Sequence, residues 1–160
     1  MGVAWKDLER EVARRLDGTR VVREQWDKRD CDIRHSYYSI ECKLRADIGV
    51  FYNEELDLMR KVDRSRVCDS KHEVSRFIME AMSQARSYNG IKPAMVVLKR
   101  KGIAYDDSLV FMFVKDFPQS QVRHVILFPL AFTGLKEFTA YWQVNKYSLV
   151  EKPDPYRYES

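Results

Sequence analysis

This chain has few of the residues that form covalent cross-links or compact metal sites. Its 160 residues include three cysteines, six glycines and five prolines. Cys31, Cys42 and Cys68 are an odd number without a repeated spacing, which excludes a zinc pattern and a disulfide framework. Cys31 and Cys42 fall at strand positions that face a core. Free core thiols predict a reducing, cytoplasmic compartment.

Other features are absent as well. There is no glycine-rich phosphate loop, so no nucleotide cofactor is expected. No long apolar run or hydrophobic signal core is present, so no membrane partner is expected. Three histidines lack ligand spacing and are predicted to be surface or packing residues: His35, His72 and His124.

The remaining composition is that of an ordinary globular domain. Hydrophobic residues make up 45% and aromatic residues 12%, which suits one domain with a substantial core. The net charge is only +4, but positive charge is concentrated in residues 60–76 and 92–101. We therefore expect two local positive patches on the surface.

An amphipathic helix is predicted over residues 3–17. It places four apolar residues on one face: Trp5, Leu8, Val12 and Leu16. At 100° per residue, Glu9 falls inside this apolar arc and Glu11 falls outside it. A carboxylate among apolar groups is costly unless a cation, a metal or a hydrogen-bond donor receives it. Glu9 is therefore the candidate site residue, the alternative being a position at the stripe's edge that reaches water.

Further along the chain, apolar runs predict strands over residues 20–24, 31–34, 37–43, 94–99, 108–114 and 122–128. A capping-box pattern at residues 70–73 opens a second helix, which Asn89-Gly90 ends. This order predicts an α/β fold with a mixed β-sheet flanked by helices, the first three strands forming a meander. One domain is expected over 1–160, with a core over about 3–130, a charged insertion over about 45–69 and an aromatic, basic extension over about 136–160.

Two acidic residues and a lysine coincide where two predicted strands meet. Asp32 lies at the end of one strand and Glu41-Cys42-Lys43 lies on the next. Alternate residues of a strand share a face, so Glu41 and Lys43 point the same way while Cys42 points into the core. Clustered carboxylates repel each other unless a divalent ion neutralises them, and Mg²⁺ prefers such oxygen ligands. The pattern predicts a metal site with a built-in cation, which suits phosphodiester hydrolysis.

These residues resemble the PD-(D/E)XK nuclease superfamily, and most closely its archaeal-type and phage Holliday-junction resolvases. In that group a glutamate of the first helix precedes an Asp-Ile or Asp-Leu strand end and a Glu-x-Lys strand. Glu9, Asp32-Ile33 and Glu41-Cys42-Lys43 follow the same order here. The resemblance covers about residues 5–45 by motif and about 70–115 by element order. Cys31 stands where the superfamily name has proline.

The resemblance implies a restriction-endonuclease-like core and DNA as the substrate. Glu9, Asp32 and Glu41 would bind Mg²⁺, or Mn²⁺, and Lys43 would be catalytic. It also implies a homodimer, because a four-way junction needs two symmetric cuts and two-fold symmetry supplies them.

A second pattern, Gln84-x-x-x-Tyr88, resembles the nuclease domain of bacterial recombination helicase–nucleases and of phage exonucleases. The two side chains lie one helical turn apart and flank the apolar stripe of the second helix. Gln84 can then hold a catalytic water or carboxylate from the side, the alternative being a boundary glutamine and a core tyrosine. This pattern is more typical of end-processing nucleases than of resolvases.

Five side chains are candidates for DNA contact: Lys28, Arg29, Arg64, Arg66 and Tyr88. The first two immediately precede Asp32 and can grip a phosphate, while Trp26 beside them can stack on a base. A solvated turn with a core tryptophan is the alternative. Three functions stay open: a Holliday-junction resolvase, an end-processing or restriction-type nuclease, and a catalytically silent DNA-binding protein on the same fold.

Overall fold

A computed structural model of the chain describes residues 4–21, 31–45, 73–87 and 92–151. The described residues form three helices and seven strands: α1 (Ala4–Leu16), β1 (Thr19–Arg20), β2 (Ile33–Arg34), β3 (Ser39–Arg45), α2 (Glu73–Ser87), β4 (Ala94–Arg100), β5 (Leu109–Phe113), β6 (Val125–Leu127), β7 (Leu130–Gly134) and α3 (Leu135–Glu151). Each predicted strand overlaps an observed one. The expectations for the insertion, for Cys68 and for His72 lie outside the described residues.

The strands form one mixed sheet in the order β1-β2-β3-β4-β5-β7-β6. β3 and β4 are parallel, and all the other neighbouring strands are antiparallel. The parallel pair follows from the long connection between β3 and β4, which carries α2. The predicted α/β class, the mixed sheet flanked by helices and the β1–β3 meander are therefore confirmed. None of the described helices is long and apolar enough to cross a membrane.

Helices cover both faces of the sheet. Met95 and Val97 of β4 pack in one apolar cluster with residues of α1 and α3, while Val96 and Leu98 pack in a second cluster with α2. Strands that are buried on both faces read as continuous apolar runs, which is why the Ala94–Arg100 segment gave a clear strand signal. β3 and β4 lie at the centre of three layers, and β3 carries the candidate site.

The C-terminal helix corrects the sequence-based domain picture. Residues from 136 onward were expected to be an extension outside the core, but α3 packs inside it with Phe138 and Trp142 buried. The helix was missed because apolar residues also occur on its solvent face, where Val144 and Tyr147 are exposed. This weakens the 3.6-residue periodicity that marks an amphipathic helix. β7 was not predicted; it leads directly into α3 at Gly134, which the sequence indicated only as a turn glycine.

A turn after α1 fixes this helix against β2 and α3. Asp17 has a positive φ of 58°, which ends the helix, and its carboxylate accepts hydrogen bonds from Trp142 Nε1 at 2.9 Å and Lys146 Nζ at 3.1 Å. Gly18 follows, where a Cβ atom would lie 2.6 Å from Ile33 Cγ2. Only glycine allows the backbone to pass this close to β2.

The side chain of His35 connects the turn between β2 and β3 to the end of α1 by hydrogen bonds. Its Nε2 lies 2.7 Å from the carbonyl oxygen of Leu16, while Nδ1 accepts from the backbone N–H groups of Tyr37 and Tyr38 at 3.0 and 3.1 Å. This pattern requires the neutral ring with its proton on Nε2. The expectation of a packing histidine is confirmed, and the contact holds the β2–β3 hairpin in position relative to α1.

Acid should weaken the fold through His35. Burial is the main cause that lowers its pKa from 6.5 to about 4, with a smaller contribution from the Lys92 charge. Below pH 6.5 the imidazole of His35 takes up a proton in the unfolded chain but stays neutral in the folded chain. The stability that the neutral His35 contributes is therefore fully present above pH 6.5 and is lost as the pH falls toward 4. Between pH 7 and pH 5 we expect a loss of about 2 kcal/mol in unfolding free energy. Urea unfolding at both pH values measures it.

His35→Gln, whose side chain does not titrate, should lose about 2 kcal/mol less over the same interval than the parent chain. His124→Gln is the matched control. If the parent and His35→Gln chains show the same pH dependence, the neutral, buried ring is the wrong description of His35.

Candidate active site

The three acidic residues predicted for the site are the buried carboxylates of the described chain. Glu9 is 5% exposed, Asp32 is 9% exposed and Glu41 is 5% exposed. A buried carboxylate needs a cation or a hydrogen-bond donor, and each of the three has one. Arg20 Nε lies 2.8 Å from Glu9 Oε1, the Cys42 N–H donates to Asp32 Oδ2 at 2.8 Å, and Lys43 Nζ lies 3.4 Å from Glu41 Oε1.

The two glutamates of α1 differ as the helical projection predicts. Glu9 is buried against β1, whereas Glu11 is partly exposed and accepts hydrogen bonds from Arg14 and Arg15. The bond from Arg14, and then that from Arg15, holds the pKa of Glu11 below its usual range. The predicted choice of Glu9 as the acid of the core-facing side is confirmed.

Asp32 immediately precedes β2 and lies against β3. Its backbone N–H donates to the Ile40 carbonyl oxygen at 3.1 Å, and its carboxylate accepts from the peptide N–H that joins Glu41 to Cys42. These two bonds place the Asp32 side chain beside the backbone of Glu41. Asp32 and Glu41, with eight residues between them in the sequence, are thus brought to neighbouring positions where β2 and β3 pair.

Lys43 connects β3 to α2. Its Nζ donates to Gln84 Oε1 at 2.9 Å, in addition to its contact with Glu41. Ser39, two residues before Glu41 on the same strand face, donates to the backbone carbonyl of Ala85. This face of β3 therefore packs under α2, and Gln84 reaches the site from the side of this helix, where its partner is Lys43 rather than the water or carboxylate that the pattern predicted. Tyr88, the other half of that pattern, lies outside the described residues.

The thiol of Cys42 is buried near the charged groups of the site. It lies on the opposite face of β3 from Glu41 and joins the apolar cluster of α1, as predicted for a core thiol. Burial raises the pKa of its thiol well above the usual range, and the negative charges of Asp32, Glu9 and Glu41 raise it further, while Lys43 opposes them.

The donor set suits Mg²⁺ by its chemistry. As the side chains stand, no group of three or more His, Cys, Asp or Glu within residues 4–21, 31–45, 73–87 and 92–151 is arranged to hold a metal ion. Mg²⁺ typically uses only one or two carboxylates and keeps several waters. Asp32 and Glu41 would supply that number, whereas Glu9 is engaged by Arg20.

Arg20 is a site residue that the sequence reading missed. It lies on β1, eleven residues after Glu9, and no spacing rule connects the two. The one available signal was the requirement that a buried carboxylate find a cation. To identify Arg20 as that cation, one must know that β1 lies beside α1 in the fold, and the local sequence pattern does not contain this information.

Basic residues line the carboxyl ends of β3 and β4. Arg45 pairs with Arg100 across these strands, and Lys101 donates its backbone N–H to the Arg45 carbonyl oxygen. Lys99 lies with its Nζ 5.2 Å from the centre of the Tyr105 ring. Three of the four cations of the predicted 92–101 patch therefore lie together at the end of β4, whereas Lys92 precedes this strand and donates to the His35 carbonyl oxygen at 2.6 Å. Five predicted DNA contacts lie outside the described residues: Lys28, Arg29, Arg64, Arg66 and Tyr88.

Comparison with protein-family models, curated proteins and solved structures gives no match to this chain. The resemblance to PD-(D/E)XK nucleases therefore rests on the motif residues and on their placement in this fold.

Proposed function

We propose that this chain is a Mg²⁺-dependent DNA endonuclease of the PD-(D/E)XK kind, with a restriction-endonuclease-like core. One observation carries the proposal: Glu41 is buried beside Lys43 on β3, the Asp32 carboxylate bonds to the backbone of this strand, and Glu9 is buried on the neighbouring helix α1. Buried carboxylates beside a lysine have the composition that metal-assisted phosphodiester hydrolysis requires.

The reaction is hydrolysis of one phosphodiester bond. Mg²⁺ would be held by Asp32 and Glu41, where it would supply an acidified water and offset the charge of the phosphate. The attacking water loses a proton to solvent as its oxygen bonds to phosphorus, one bridging P–O bond breaks, and the leaving alkoxide takes up a proton from solvent. Lys43, held by Glu41 and Gln84, places its ammonium group to stabilise the negative charge that develops on the phosphoryl oxygens. The basic residues at the ends of β3 and β4 attract the DNA backbone toward the carboxylates.

Within this class we propose a Holliday-junction resolvase that acts as a homodimer, because Glu9, Asp32-Ile33 and Glu41-x-Lys43 follow the resolvase order. The Lys43–Gln84 hydrogen bond favours a second candidate, an end-processing nuclease, since that group carries a glutamine on the corresponding helix. A catalytically silent relative is disfavoured, because all four acid and lysine positions hold competent residues.

A cleavage assay with Mg²⁺ separates these candidates. Labelled four-way junction, linear duplex, flap and single strand are incubated side by side, with EDTA as the metal-free control. Paired, symmetric cuts in the junction support the resolvase, and loss of nucleotides from ends supports the end-processing nuclease. Failure to cut any of the four DNAs with Mg²⁺ or Mn²⁺ would overturn the proposal.

Replacing Gln84 by alanine should lower kcat by roughly ten- to a hundredfold, because Lys43 loses the partner that orients it. KM should change little, since Gln84 acts on the reacting centre rather than on the bound duplex. Steady-state kinetics give both values. Ser83→Ala, an exposed neighbour on α2, is the matched control. An unchanged rate in Gln84→Ala would make Gln84 a helix-boundary residue and favour the resolvase branch.

A further inference from the structure

The first turn of α1 presents an aromatic ring to solvent. Trp5 was expected on the buried face of this helix, but its side chain is 48% exposed, whereas burial begins at Leu8. Trp142, by contrast, lies in the core and satisfies its indole N–H with Asp17. Half of the Trp5 surface is therefore available for contact with a ligand.

Two cations flank this ring, and one of them links it to the candidate site. Lys6 Nζ lies 5.3 Å and Arg20 Cζ lies 6.0 Å from the centre of the Trp5 ring. The same Arg20 binds Glu9 at 2.8 Å. Trp5 and Glu9 are four residues apart, hence one turn apart on the same side of α1. Ring, guanidinium and carboxylate thus form a row that runs from the exposed Trp5 through Arg20 to the buried Glu9.

An exposed ring between cations has the composition of a site for a nucleotide. The cations attract phosphates, and an aromatic face stacks on a base without regard to its identity. Tyr147 on α3 provides a comparison within the chain, since it is an exposed ring with Lys146 Nζ 5.4 Å from its centre. Lys146, however, binds Asp17 and not a carboxylate of the site.

We infer that Trp5, with Lys6 and Arg20, forms a stacking platform for an unpaired base that flanks the phosphate to be cleaved. This inference rests on the proposed function and narrows its substrate class. Bases inside a continuous duplex are stacked on both faces and offer no surface to a tryptophan. The platform therefore selects DNA with a splayed, flapped or frayed nucleotide next to the scissile bond.

Binding without metal tests the platform separately from catalysis. The full-length Asp32→Asn protein is titrated in EDTA with three probes: a duplex with a splayed single-stranded arm, an oligothymidylate of about twelve nucleotides and a closed hairpin duplex. Tryptophan fluorescence and anisotropy of labelled DNA are recorded. Trp5→Ala, Trp5→Phe and the control Tyr147→Ala are each made in this background.

Stacking predicts that Trp5→Ala weakens binding of the splayed duplex and the oligothymidylate by roughly five- to a hundredfold, with less than about a twofold change for the closed hairpin. Trp5→Phe should retain part of the affinity and lose the fluorescence quenching. Tyr147→Ala should match its parent on all three probes. Because Trp5 is half exposed, these variants should fold, and circular dichroism verifies it.

Two outcomes contradict the inference and are distinguishable. Equal affinity of Trp5→Ala and Tyr147→Ala for the splayed duplex overturns the platform and leaves the nuclease proposal to the Mg²⁺ cleavage assay. Failure of the parent to bind any of the three DNAs overturns the proposed function, and the platform with it.

Discussion

The Asp32→Asn protein should lose Mg²⁺-dependent DNA cleavage by at least about a hundredfold, since even groups that only support a metal ligand commonly contribute 10–100-fold. The fold should persist. The Asp32 carboxylate accepts a hydrogen bond from the Cys42 N–H at 2.8 Å, and an asparagine carbonyl oxygen can accept the same bond. Cleavage of labelled junction and duplex at saturating Mg²⁺ measures the loss.

Binding distinguishes loss of chemistry from loss of structure. Without metal, Asp32→Asn should bind DNA as well as the native protein or more tightly, because one negative charge facing a polyanion has been removed. Glu11→Gln is the charge-matched control, since Glu11 is engaged with Arg14 and Arg15 on the outer side of α1. A normal cleavage rate in Asp32→Asn would exclude the carboxylate cluster as the active site.

Phe138→Ala should lower the free energy of unfolding by about 3–5 kcal/mol, the usual cost of deleting a buried phenyl ring. Phe138 is fully buried, and its ring centre lies 5.5 Å from Tyr141, 5.8 Å from Tyr38 and 6.3 Å from Phe117. Equilibrium unfolding in urea, monitored by far-ultraviolet circular dichroism, gives the difference.

The control lies on the same helix. Val144 is 80% exposed, so Val144→Ala should change stability by no more than about 0.5 kcal/mol. If Phe138→Ala costs no more than Val144→Ala, α3 is an appendage, as the sequence alone suggested, and not a part of the core.

Local patterns predicted the parts of the site that depend on one element. The helical projection selected Glu9 over Glu11, and strand alternation placed Glu41 and Lys43 on one face, because both follow from regular backbone geometry. To predict that Asp32 lies near Glu41, it was enough to expect that their two consecutive strands are neighbours in a meander.

The sequence could not predict contacts that depend on how elements cross. Arg20 meets Glu9 because β1 runs beside α1, and this contact has no local signature. Lys43 meets Gln84 because α2, in the crossover from β3 to β4, packs on the face of β3 that carries Lys43. The helical pattern indicated only that Gln84 lies at the side of the apolar stripe of α2. Trp5 was wrongly expected to be buried. Helical periodicity gives the direction in which a side chain points, but it does not show whether the neighbouring elements extend far enough to cover the first turn of α1.

The junction between α1 and α3 has a consequence for when the site forms. Trp142, Gln143 and Lys146 bind Asp17 or the backbone of Arg15 across at least 125 residues of chain. Contacts this distant in sequence form late, because the loop entropy must be overcome before they contribute. During synthesis, Glu9 and Asp32 leave the ribosome long before the helix that holds α1 in place. A nascent chain thus carries the acids of the site without their final geometry, and competence for cleavage should arise only after α3 has been made.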